Sequence, residues 1–142
     1  MKTIYIVVGS VAVLFIVAQF FIHRSSTNIE MYPYTVADVV EGIEIRNYKA
    51  RLFTNVPLAN QGYKQNASKG FSKLGGYIFG ANARNEKIAM TSPVSMSLGD
   101  TPSMGFMVPQ AISKEALPKP NQADITFNQE PQKKMAVITF SG

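Results

Sequence analysis

His23 is the only histidine in 142 residues and cysteine is absent, so thiol nucleophiles, disulfides and thiolate metal sites are excluded. Because His23 closes a hydrophobic N-terminal stretch, the globular remainder has no histidine for a zinc site, a catalytic triad or a general base. Asp and Glu together number nine, yet no two are spaced to share one face of a helix or strand in an apolar setting. Ser72, Ser92 and Ser141 have no partner base. Gly75-Gly76 near Gly80 is not followed by the Gly-Lys-Ser/Thr of a phosphate loop. The residues thus point to a protein with no catalytic group and no protein-held metal.

Charge narrows the partners. Fourteen basic against nine acidic residues give a formal charge of +5, but Lys2 and Arg24 merely flank the hydrophobic leader. No Lys/Arg block or basic–aromatic ladder occurs, which argues against nucleic acid and fits an anionic small ligand or an anionic membrane surface.

The elements that must position any site begin after that leader. Thr3 to Ile22 is uncharged, and at about 1.5 Å rise per residue it is long enough to cross a hydrocarbon core of about 30 Å. Its exit, Phe20-Phe21-Ile22-His23-Arg24, is bulky and then basic, which favours an uncleaved single-pass anchor over a cleaved signal peptide. Flanking charges nearly balance, with a lean toward a cytoplasmic N-terminus and an extracytoplasmic domain. The chain therefore divides into an anchor over 1–24, a polar linker over 25–35 and one domain over 36–142.

Within the domain, Ile43-Glu44-Ile45-Arg46 and Ala50-Arg51-Leu52-Phe53 predict one long strand with a bulge at the polar break near Asn47, ending at Pro57. Asn60 is placed to cap a helix whose apolar face is Tyr63, Ala67, Phe71, Leu74 and Ile78. Gly70, Gly75 and Gly76 weaken that helix by about 1 kcal/mol each, so sheet packing must hold it. Ile88, Met90, Val94, Met96 and Leu98 alternate along a strand that Pro93 marks as an edge. Met104, Phe106 and Val108 give its hairpin partner. Ala111 to Ala123 reads as a surface crossover. Two further extended runs follow, at Ile125 and Phe127 and over Met135 to Phe140, separated by Gln129-Glu130-Pro131-Gln132, echoing the first strand region as the start of a second β-α-β-β unit.

Gly42-Ile43-Glu44-Ile45-Arg46, Phe71-Ser72-Lys73-Leu74, Tyr77-Ile78-Phe79-Gly80 and above all Lys87-Ile88-Ala89-Met90-Thr91-Ser92-Pro93-Val94 occur in fixed order. With Met104-Gly105-Phe106, Pro109 and the closing Phe140-Ser141-Gly142, they resemble the SOUL haem-binding family from about Val36 onward. The resemblance implies an α+β fold, a distorted antiparallel β-barrel of two β-α-β-β repeats, with an apolar cleft beside a helix where haem or another porphyrin lies. It also implies a further helix and closing strands beyond the Phe-Ser-Gly motif, so the second repeat is incomplete and strand edges are left open for pairing, for instance with a second copy. Some family members are thought to ligate iron through histidine, for which the globular part has no residue.

Of the usual axial ligands only Met and Tyr remain, and Met90, Met96, Met104 and Met107 are read as core filler, with none assigned as a ligand. The family-like mode without ligation is burial of a flat ring, and its expected contacts are Tyr63, Lys64, Ala67, Phe71 and Met90. The expected function is a membrane-tethered, non-catalytic carrier of a tetrapyrrole. The alternatives are an anchored scaffold with a vestigial cleft, or a fragment without function.

Overall fold

The computed structural model describes residues 9–20, 29–59 and 63–140. Residues 9–20 form helix α1, whose Val11, Leu14, Phe15, Ile16 and Phe20 are all more than half exposed. Among the described residues no helix is long and apolar enough to cross a membrane. The rest of the expected span, its His23-Arg24 exit and the expected helix cap Asn60 lie outside the described residues.

From Ile29 onward the elements are β1 (Glu30–Met31), β2 (Tyr34–Val40), β3 (Ile43–Tyr48), β4 (Arg51–Pro57), helix α2 (Tyr63–Ile78), β5 (Thr91–Ser92), β6 (Val94–Ser97), β7 (Ser103–Met107), a 3-10 turn (Lys114–Ala116), β8 (Thr126–Glu130) and β9 (Lys133–Val137). Residues 29–35, assigned from sequence to the linker, supply β1, the start of β2 and the buried Tyr32. The β2–β3 hairpin turns on Glu41 and Gly42 alone, with φ of 50° and 83°. Two left-handed residues make the tight turn that matches strand twist, and glycine takes the second at no steric cost.

The long bulged strand expected from Ile43 to Pro57 is two strands in two sheets. At Lys49 the backbone N–H turns to the Pro33 carbonyl (3.3 Å), and the chain passes from β3 to β4. The later pair repeats the bend: β9 lies on β3 with Lys133 opposite Tyr48, while β8 lies on β4 with Glu130 opposite Arg51. This produces an antiparallel sheet β2-β3-β9, an antiparallel sheet β6-β7-β4-β8 and a short parallel pair β1-β5. The fold is α+β with several antiparallel sheets, and they do not close into the expected barrel. Among the described residues β2, β9, β6 and β8 are sheet edges, and β2 is solvent-exposed along its whole length.

Strand period explains where the core sits. Leu52, Thr54 and Val56 of β4 share a face with Met104 and Phe106 of β7, and α2 covers it with Leu74, Tyr77 and Ile78. Val56 and Leu74 are wholly buried. The opposite face carries Phe53 and Met107, which pack with Tyr32 and Tyr48 into a second, smaller cluster.

The buried face of α2 is rotated from the one expected. Leu74 and Ile78 are buried and Ala67 partly so, but Tyr63 and Phe71 are 65% and 43% exposed, and Asn66, Gly70 and Tyr77 take their places. Gly70 is the physical reason. A Cβ there would stand 2.8 Å from Leu58 Cδ2 and 3.1 Å from Met104 Sδ, so the bare backbone lets the helix settle onto β7 along this line. Tyr63 and Phe71 are thereby turned to its flank.

Tyr77 reaches through the core to donate to the Pro118 carbonyl at 2.8 Å, and burial pushes its phenol up to about 12. Above pH 10 an unfolded tyrosine loses its proton while the folded one keeps it, so the native state binds more protons and stability falls as pH rises. We expect loss on the order of 1–3 kcal/mol between pH 10 and 12 in chemical denaturation, with a flatter profile for Tyr77→Phe.

Candidate functional site

The rotation of α2 creates a trough. Tyr63, Ala67 and Phe71 follow one another at successive turns of the helix and form one wall, with Ser68 and Ser72 at its lip. Val94 and Met96 of β6, with Met104 of β7, form the other. The hairpin register supplies them together: Val94 stands opposite Phe106 and Met96 opposite Met104, so all four point to the helix side of the sheet. Phe71 is braced edge-on against Phe106 at 5.3 Å between ring centroids. The volume is about 680 Å³, within the range of pockets that enclose drug-sized ligands.

Of the five expected contacts, the structure brings Tyr63, Ala67 and Phe71 together in this trough. Lys64 is exposed in the first turn of α2 and is not among the lining residues. Met90 lies elsewhere, before β5, where it borders a narrow crevice with Ile78, Ala89 and Phe106. The break between β5 and β6 at Pro93 separates Met90 from the Val94–Met96 wall, so strand alternation does not carry across it. Val94, Met96 and Met104 were not expected as contacts. Their shared face was legible in the hairpin alternation; what concealed them was the expectation that Tyr63 and Phe71 belong to the core.

The other flank of α2 has a groove of about 560 Å³, lined by Pro57, Leu58, Asn66, Lys69, Gly70 and Lys73 among others. Lys73 there is ion-paired with Asp124. Ser68 and Ser72 border both grooves, so the apolar trough and the lysine-bearing groove meet along the outer surface of the helix.

A tetrapyrrole fits the trough by its chemistry. The lining is aliphatic, aromatic and thioether apart from the Ser68 and Ser72 hydroxyls at the lip, with no carboxylate to repel a propionate. Tyr63 offers a phenol, and Met96 and Met104 offer thioethers, both recognised donors to haem iron. Among the described residues no group of three or more His, Cys, Asp or Glu could hold a bare metal ion. Burial raises Tyr32 and Tyr77, hydrogen bonds to Tyr48 and Glu44 raise Arg46, and its own backbone N–H lowers Glu115.

A family model described as SOUL heme-binding protein matches residues 29–142. No curated protein matches the chain.

Proposed function

The chain belongs to the SOUL heme-binding protein family, and from that premise we propose that it binds haem or a related tetrapyrrole in the trough between α2 and the β6–β7 hairpin, without chemistry of its own. One observation carries the reading: Tyr63 and Phe71, large aromatics on a sheet-packed helix, stay 65% and 43% exposed and face an apolar trough instead of the core. Covering them with a flat ring removes apolar surface from water, at about 25 cal/mol per Å².

The bound pigment supplies the iron and the conjugated ring, and the chain's residues do the rest. Ala67, being small, would leave room for the ring beside the helix, and Tyr63, Phe71, Val94 and Met96 would hold it by burial and exclude water. Binding is by burial and needs no histidine. Lys64, next to Tyr63 in sequence, is an exposed cation on the same helix for a propionate.

The anchor reading belongs to the same proposal. An uncharged stretch from Thr3 to Ile22, helical and outward-facing over residues 9–20, supports a single membrane pass with the trough held near the bilayer, where apolar pigments partition. The nearly balanced flanking charges, Lys2 against Arg24, lean this proposal toward an extracytoplasmic domain.

Full-length protein in lipid nanodiscs, titrated with haemin against empty discs, is expected to show a saturable Soret shift with one pigment per chain and matching quenching of tyrosine emission. A titration indistinguishable from empty discs overturns the proposal.

A further inference from the structure

On the far side of the four-stranded sheet from the trough, where β3 leaves β4, lies a separate hollow of about 150 Å³. Its walls are Tyr32, Tyr48, Phe53, Pro93, Met135 and Lys133, with Ser95 at the edge. Tyr32 joins the other two rings, its centroid lying 4.7 Å from Tyr48 and 5.4 Å from Phe53. A cavity of this size, walled by aromatic and aliphatic groups, accommodates one six-membered aromatic ring.

Its polar groups are short of an acceptor. Tyr32 is only 8% exposed, and its hydroxyl is buried without a hydrogen-bond partner. A buried unpaired donor at the wall of a hollow is costly and calls for a group that accepts. Among the residues that line the hollow Lys133 alone carries a charge, and that charge suits an anion. Lys133 lines the hollow and is ion-paired with Glu130, which holds its ammonium at the wall.

We infer that this inter-sheet hollow is a second ligand site, taking a small monocyclic aromatic carboxylate, its ring among Tyr48, Phe53 and Met135 and its carboxylate accepting from Tyr32 Oη beside Lys133. The site shares no lining residue with the trough, so it stands or falls independently of tetrapyrrole binding.

Benzoate is the probe. With full-length protein in nanodiscs, labelled at methionine methyls, benzoate titration shifts Met135 and Met107 saturably at about millimolar affinity and leaves Met96 and Met104 in place. Benzyl alcohol, of the same size and uncharged, binds at least about tenfold more weakly. Tyr32→Phe keeps the ring packing and removes the donor, and weakens benzoate about tenfold with haemin affinity unchanged; Lys133→Met does the same without touching the aromatic cluster. No saturable shift at Met135 up to saturating benzoate, equal binding of benzyl alcohol, or an unchanged affinity in both variants overturns the inference and leaves the Tyr32 hydroxyl to bound water.

Discussion

Val94→Glu is expected to weaken haemin binding by about tenfold to a hundredfold while leaving the fold intact. Val94 sits on the edge strand β6, 43% exposed, at the rim of the trough facing Ala67 and Phe71 across it. In the free protein the introduced carboxylate remains in water, so stability changes by no more than about 0.5 kcal/mol. Beneath a bound ring the same carboxylate is stripped of water with no cation among the lining residues to receive it. A penalty of about 1.4–2.8 kcal/mol gives the stated loss. Val94→Leu, keeping the wall apolar, retains affinity within about threefold. Equilibrium haemin titration with a parallel thermal melt checks both limbs, and an undiminished affinity in Val94→Glu places the pigment elsewhere.

The second large effect falls on stability. Asn82, 1% exposed, is the hub of the turn that follows α2. Its Nδ2 donates to the Tyr77 carbonyl at 3.0 Å and the Glu86 carbonyl at 2.7 Å, and its Oδ1 accepts from the Arg84 and Glu86 amides at 3.2 and 3.1 Å. The Tyr77 carbonyl lies in the last turn of α2, where helical partners run out, so a side chain outside the helix closes its C-terminus. Truncation to Ala leaves these backbone groups unpaired in a buried place and is expected to cost about 2–4 kcal/mol in urea unfolding. Asn82→Asp keeps the two accepted bonds but sets a buried carboxylate oxygen against the Tyr77 and Glu86 carbonyls, and is expected to cost at least as much at neutral pH. A loss below about 1 kcal/mol for the Ala variant would show that water replaces the side chain freely.

How far the sequence foretold this molecule depends on the element. The β6–β7 hairpin was legible because Val94 and Met96, then Met104 and Phe106, alternate with small residues on either side of a Gly99–Pro102 turn. Helix α2 was legible as an element but not in orientation. Apolar spacing weighted Tyr63 and Phe71 as core, whereas a glycine, invisible to hydrophobic periodicity, sets the line of closest approach at Gly70. The split of β3 from β4 was hidden for a related reason. Lys49-Ala50 carries no Pro or Gly, and the bend is stabilised by Pro33, a residue distant in sequence that captures the Lys49 amide. Tyr32 was missed because Glu30 and Pro33 around it gave the segment the polar, broken look of a linker. It is held in place by non-local contacts: its amide on the Ser92 carbonyl at 2.8 Å and its ring on Phe53.

Zinc protoporphyrin is diamagnetic and casts a strong ring-current field on methyl groups beneath its plane, so methyl spectra of the full-length protein locate a bound tetrapyrrole directly. Upfield displacement of the Ala67, Val94 and Met96 methyls, with Met135 and Met107 unmoved, is the predicted result. Displacement confined to other methyls, or none at a pigment concentration that saturates the Soret change, contradicts a tetrapyrrole seated between α2 and β6.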